Sequence, residues 1–198
     1  MIKAIIFDWG GVIAPNPNGG WMNVLMEMLN ISFEEIKPHW DAAGYEDLSK
    51  GLIIEEAFWT QFQQSFGKPL NIDIAKVWAD GSALQPYPGF MEFIQSLHDA
   101  GLKTAVLSNT VKPLSTILRT SGLYSDFDAV IVSDEVGIVK PNIRLYEGIV
   151  YRLGVSADEC IYIDDLEKNL LPARTLGMST ILTDGNPDST ISKIKTLI

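Results

Sequence analysis

Cysteine is almost missing from this sequence of 198 residues. Cys160 is the single one, which excludes an internal disulfide, and its setting in the apolar run ECIYIDD marks it as a packing thiol rather than a reactive one. Histidine is nearly as scarce. His39 and His98 both fall in stretches of helical periodicity, without the neighbouring ligands a zinc site needs, and are read as surface or packing residues. Basic residues are outnumbered, 15 Lys and Arg against 25 Asp and Glu for a net charge of −10. That balance excludes nucleic acid as a partner, because phosphate-backbone binding needs a basic surface. It leaves room for a small phosphate, which needs only a local positive site. No apolar run approaches the roughly 18 residues of a membrane span. The opening MIKAIIFDW is a strand pattern without an apolar h-region or cleavage site, so neither membrane nor signal peptide is expected, and the cytoplasm is the expected location. No heptad repeat is present, and a monomer or homodimer is expected.

What is present suits one core of ordinary size with a small appended module. After residue 85 a unit recurs: MEFIQSLHDAGLKTAVLSN, LSTILRTSGLYSDFDAVIVSD, YEGIVYRLGVSADECIYIDD and LLPARTLGMSTILTD. Each is an amphipathic helical stretch, a glycine suited to a left-handed C-cap (Gly101, Gly122, Gly154, Gly177) and a short β-branched strand. With the opening strand, five strands are read at about 3–7, 103–107, 129–133, 160–163 and 179–182. Helices alternating with short, nearly all-apolar strands predict an α/β fold, a doubly wound parallel sheet covered on both faces. Residues 15–85 differ in kind, with helical periodicity in WMNVLMEMLN, SFEEIKPHW and IIEEAFWTQFQQSFG and no convincing strand. They are read as a helical cap inserted after the first strand, with residues 1–14 and 86–198 forming the Rossmann-like core. Trp21, Trp40, Tyr45 and Trp59 fall at helical spacing among Met22, Leu25, Leu29, Ile36 and Phe58, which makes a small cap core the leading reading and a substrate-facing surface the other.

The polar residues fall at strand ends. Asp8 follows the first strand, Ser108 and Asn109 the second, Lys140 the third, and Asp164 with Asp165 the fourth. In an open parallel sheet, ligands bind at the carboxyl edge, so these stretches converge on one crevice. Each residue alone has an ordinary reading as a turn, cap or solvated side chain. Together, several carboxylates, one lysine and one hydroxyl suit a hard, oxygen-liganded cation beside a phosphate. Gly10 and Gly11 let backbone approach a ligand closely.

With FDWGGV, LSNT, VKPN and IDDLEKN in this order, the sequence resembles the haloacid dehalogenase superfamily of aspartate-nucleophile hydrolases over its whole length. IDDLEKNLLPARTLGM resembles most the phosphatase domains of epoxide hydrolases and small sugar-phosphate phosphatases. The resemblance implies a strand order 5-4-1-2-3 and a phosphomonoester hydrolase acting on a small metabolite. It implies Asp8 as the nucleophile that becomes an aspartyl-phosphate, Ser108 as the hydroxyl donating to a phosphate oxygen, and Asn109 as support for the pocket. It implies Lys140 as the cation that offsets the charge of the nucleophile and of the phosphoryl group. The cofactor implied is Mg2+, held by Asp8, Asp165 and the main-chain carbonyl of Gly10, with Asp164 also at the metal or acting through water. Asn169 stands where many relatives have a further acid. Gly10 departs from the family, many members of which carry there a second aspartate as general acid and base. Three readings follow: a magnesium-dependent phosphatase, a dehalogenase or phosphomutase on the same scaffold, and a catalytically weak phosphate-binding or regulatory protein.

Overall fold

The computed structural model describes residues 1–15, 17–68, 70 and 84–198. The side chain of Trp21, that of Met22, and residues 71–83 of the expected insertion lie outside the described residues. Five parallel strands form one sheet: β1 (Ala4–Phe7), β2 (Lys103–Ser108), β3 (Ala129–Val132), β4 (Cys160–Asp164) and β5 (Ser179–Leu182). Their order is β3-β2-β1-β4-β5, the order the family resemblance implies. β1 lies at the centre, with Ala4 opposite Lys103 on one side and Cys160 on the other.

All four side chains of β1 are buried, because both faces of the sheet are covered, and this is why the strand reads as an unbroken apolar run rather than an alternating one. Period two still sorts its residues. Ile5 and Phe7 face one apolar cluster with Val106, Ile161 and Ile163, while Ala4 and Ile6 face the other with Leu107 and Tyr162. The first cluster is roofed by α5 (Phe90–Asp99), α6 (Lys112–Thr120) and α10 (Pro187–Lys195), the second by α8 (Ile143–Leu153) and α9 (Glu167–Thr175). The four glycines read as left-handed C-caps all adopt positive φ.

Between β1 and α5 the described residues form α1 (Pro17–Leu29), α2 (Phe33–Ala42), α3 (Tyr45–Ser49) and α4 (Glu55–Phe66). A capping box starts α2, in which Ser32 Oγ accepts from the Glu35 amide and Glu35 Oε2 accepts from the Ser32 amide, satisfying two orphan donors at once. Trp40, Phe58, Trp59 and Phe62 are buried against one another, with Trp40 and Phe58 ring centres 4.7 Å apart in an edge-to-face contact. These rings therefore form an aromatic core between α2 and α4, and this interior is continuous with that over the sheet.

The stretch WDAAGYEDLSKG, which reads as turn, contains helix α3. Its five residues are too few to show a 3.6-residue period, and glycines in the left-handed region, Gly44 and Gly51, bound it. Gly51 also sits against α7 (Ser133–Val136) at the end of β3: a Cβ there would lie 2.4 Å from the main-chain oxygen of Asp134. With a φ of +66° as well, Gly51→Ala is expected to cost about 1–3 kcal/mol in urea unfolding. A cost under about 0.5 kcal/mol would show that the two segments part freely.

Candidate active site

Asp8 is the first residue beyond β1, and its amide donates to the Ile163 carbonyl at 2.9 Å, fixing the turn out of the strand against β4. Asp8 Oδ1 accepts from the Trp9 amide at 2.7 Å, and Oδ2 lies 2.9 Å from Lys140 Nζ. The chain then turns through Gly10 and Gly11, whose amide bonds the Ala14 carbonyl at 2.8 Å. A Cβ on Gly11 would lie 2.6 Å from Asp165 Oδ2. Glycine is thus what lets the turn after β1 approach the carboxylate that follows β4.

Ser108 ends β2 and is buried. Asn109, the next residue, fixes the lysine loop: its Oδ1 accepts from the Lys140 amide at 2.8 Å and its Nδ2 donates to the Lys140 carbonyl at 3.3 Å. The Lys140 ammonium, 4% exposed as a residue, lies between Asp8 and Asp164 Oδ2, the latter at 2.7 Å. Burial favours the neutral amine, but the two carboxylates outweigh it and hold the ammonium above its ordinary range.

Asp164 is the last residue of β4 rather than the first after it. Its side chain is enclosed: Oδ2 accepts from Lys140 and the Tyr162 hydroxyl, Oδ1 from the Leu166 amide and Asn169 Nδ2, both at 2.9 Å. Burial opposes its charge, and the neighbouring Lys140 overcomes this to hold the carboxyl below the usual range. Asp8 goes the other way, because burial raises its carboxyl to about 6 against the pull of Lys140. One carboxyl oxygen each of Asp8, Asp164 and Asp165 lies within 4.8 Å of the others. Asn169 Oδ1 is buried without a hydrogen-bond partner beside this group.

Of the residues singled out at strand ends, Asp8, Gly10, Ser108, Asn109, Lys140 and Asp165 line one cleft of about 450 Å³, while Gly11 borders a shallower hollow on the other side of Asp165. Asp164 lies beneath them. The cleft also receives Tyr45, Glu46 and Ser49 from α3. Sequence reasoning missed two parts. Tyr162, two residues before Asp164 and hence on the same face of β4, had a periodicity signal to find it. Trp9 and Tyr124, which wall the cleft, had none, since they meet only through the fold.

A family profile described as haloacid dehalogenase-like hydrolase matches residues 2–177. Phosphatase MT3486 of Mycobacterium tuberculosis is 29% identical, the match covering 92% of this chain and 88% of that protein. Against two further relatives the chain spans only 19% and 44% of their length. Among solved structures, a HAD-like family hydrolase from Porphyromonas gingivalis superposes with a TM-score of 0.79 at 28% identity over 100% of this chain and 98% of that one. A HAD family enzyme from Bacteroides thetaiotaomicron, solved with magnesium and inorganic phosphate, shares the fold at a TM-score of 0.76 and 21% identity, over 94% and 96% of the two chains. Three carboxylates and a buried ammonium at the carboxyl edge of a β3-β2-β1-β4-β5 sheet thus occur in a chain that belongs to the haloacid dehalogenase-like hydrolases.

Proposed function

We propose that the chain is a magnesium-dependent phosphomonoesterase of a small metabolite, working through an aspartyl-phosphate on Asp8, with residues 15–85 as a cap over the crevice. The observation that carries this reading is the charge balance of the site. Three carboxylates cluster at the site with one buried ammonium set between Asp8 and Asp164, and a phosphate dianion joins such a cluster readily only with a divalent cation beside it. The donor set fits such an ion, since all the groups are hard oxygens and Asn169 Oδ1 lies beside them unpartnered. Asp8, Asp165 and the Gly10 carbonyl are the residues assigned to hold it, and Asp164, whose oxygens already accept four hydrogen bonds, is assigned to orient Lys140. Bound there, magnesium would neutralise the transferring phosphoryl group and hold it in line with Asp8.

In this reading Asp8 attacks phosphorus, the bond to the ester oxygen breaks, and the leaving oxygen departs as an alkoxide that takes its proton from water. Ser108 and Lys140 hold the phosphoryl oxygens as charge develops. Water then attacks the aspartyl-phosphate, releasing inorganic phosphate and restoring Asp8. Gly10 supplies no side chain to protonate the alcohol, so esters with good leaving groups are favoured. The same cluster of carboxylates disfavours a metal-free dehalogenase, whose substrate carboxylate it would repel.

The test is hydrolysis of p-nitrophenyl phosphate and a panel of sugar phosphates with magnesium, after chelation, and after magnesium is restored. Turnover is expected to fall to background on chelation and to return in full. Asp165→Asn is expected to raise the half-saturating magnesium concentration at least about tenfold. Undiminished turnover in chelator would overturn the metal assignment, and no turnover on any ester would overturn the phosphatase reading.

A further inference from the structure

β2 and β3 pair rung by rung as far as Ser108 opposite Val132. The residue after Val132, Ser133, begins α7, so the backbone of β3 leaves the sheet just where the chain after β2 reaches the cleft. Asn109 and Thr110 line that cleft with Ser108, and their main-chain groups need partners that β3 no longer supplies. The Ser133 side chain takes over. Its hydroxyl accepts from the Thr110 amide at 2.9 Å and donates to the Thr110 carbonyl at 3.0 Å. One oxygen thus satisfies both main-chain groups of Thr110, and a hydroxyl is among the few side-chain groups that donate and accept at a single atom. Both bonds are buried, with Ser133 itself 0% exposed, so water does not compete for them.

Three consecutive residues of this turn each hold a different part of the site. The Ser108 hydroxyl lies within bonding reach of the Asp8 carboxyl. Asn109 grips the Lys140 main chain through its amide oxygen and nitrogen, at 2.8 and 3.3 Å. Thr110 is gripped in turn by Ser133, which is buried behind it. We infer that Ser133 is a positioning residue for the phosphoryl group: through Thr110 it fixes the turn that presents Ser108 and Asn109 to the phosphate oxygens, while touching no substrate itself. The inference rests on the phosphatase reading for the seat of the phosphate. Since the phosphoryl end is common to all phosphate esters, loss of this clamp weakens all of them by the same factor, whatever alcohol they carry.

Binding of inorganic phosphate separates positioning from mere stability. Its affinity is measured calorimetrically in magnesium buffer, below every melting transition, for the wild type, Ser133→Ala, Ser133→Cys and Ile149→Val. Ser133→Ala leaves the Thr110 amide and carbonyl without partners and is expected to bind phosphate about tenfold more weakly. Its kcat/KM is expected to fall by a common factor, within about threefold, for p-nitrophenyl phosphate and every sugar phosphate the wild type hydrolyses. The thiol of Ser133→Cys donates and accepts weakly, so this variant is expected to fall between the two, and it carries the test should Ser133→Ala not fold. Ile149 is buried in the other apolar cluster, and Ile149→Val is expected to lower the melting temperature while phosphate affinity moves less than about twofold. Phosphate affinities in the Ser133 variants within about twofold of the wild type would reduce Ser133 to a folding role and overturn the inference alone. Losses that differ widely from one ester to the next would also overturn it. A wild type that neither binds phosphate nor hydrolyses any ester would overturn the phosphatase reading, and the inference with it.

Discussion

Lys140→Met is expected to destabilise the protein by about 3–5 kcal/mol and to lower kcat by about a thousandfold or more. The ammonium is buried between carboxylates at 2.9 and 2.7 Å. Methionine has nearly the same volume, so the loss is electrostatic and leaves no cavity to share the blame. Asp8 and Asp164 would face each other without the ammonium between them. Urea unfolding in chelator reads the first effect, and a pre-steady-state phosphate assay in magnesium reads the second. Asp8→Asn added to Lys140→Met is expected to restore part of the lost stability, since it removes one of the two charges left unpaired. A loss below about 1 kcal/mol in the single variant would show that the site relaxes or hydrates enough to dispense with the lysine.

Asp8→Asn separates function from stability. Turnover is expected to fall at least about ten-thousandfold, because the amide cannot attack phosphorus. Yet the metal-free variant is expected to be more stable than the wild type at pH 7.5, by about 1–3 kcal/mol. The sign follows from burial. In the folded protein the Asp8 carboxyl is raised from 3.8 to about 6, so folding favours its protonated form. Its contribution is fully present below pH 3.8 and is lost as pH rises through about 6. Asparagine does not titrate, but its single oxygen can accept from Lys140 or from the Trp9 amide and not both, which trims the gain. The gap between variant and wild type should therefore open between about pH 4 and 6.5 and stay level above. Melting curves in chelator from pH 4 to 8 check this. A variant less stable at pH 7.5 would show instead that the pairing of Asp8 with Lys140 outweighs its burial.

Much of this site was legible because its residues sit at the ends of short apolar strands, and an open parallel sheet has one edge for ligands. The motif order supplied the strand order that periodicity alone left open, and β5 was placed to the residue. Asp164 shows where such reading stops. Its sequence position fits a metal ligand, but whether its oxygens are free depends on Tyr162, Asn169, Lys140 and the Leu166 amide all closing on it. Helix α3 was invisible because five residues cannot display a helical period. Tyr124 was invisible for another reason: its burial comes from Trp9 and Arg119, which are remote from one another in sequence and meet only through the fold.

The central position of β1 has a kinetic consequence. Its partners lie near residues 103 and 160, so the strand that presents Asp8 is made well before either of its neighbours. Until β4 has formed, β1 exposes unpaired backbone on at least one edge, a template for pairing with other chains. Closing such long loops is slow, because their entropy is lost before the contacts reward it. Newly made chains are thus most open to aggregation in the interval before Cys160–Asp164 docks, and that docking step also brings Asp164 to Lys140 and completes the site.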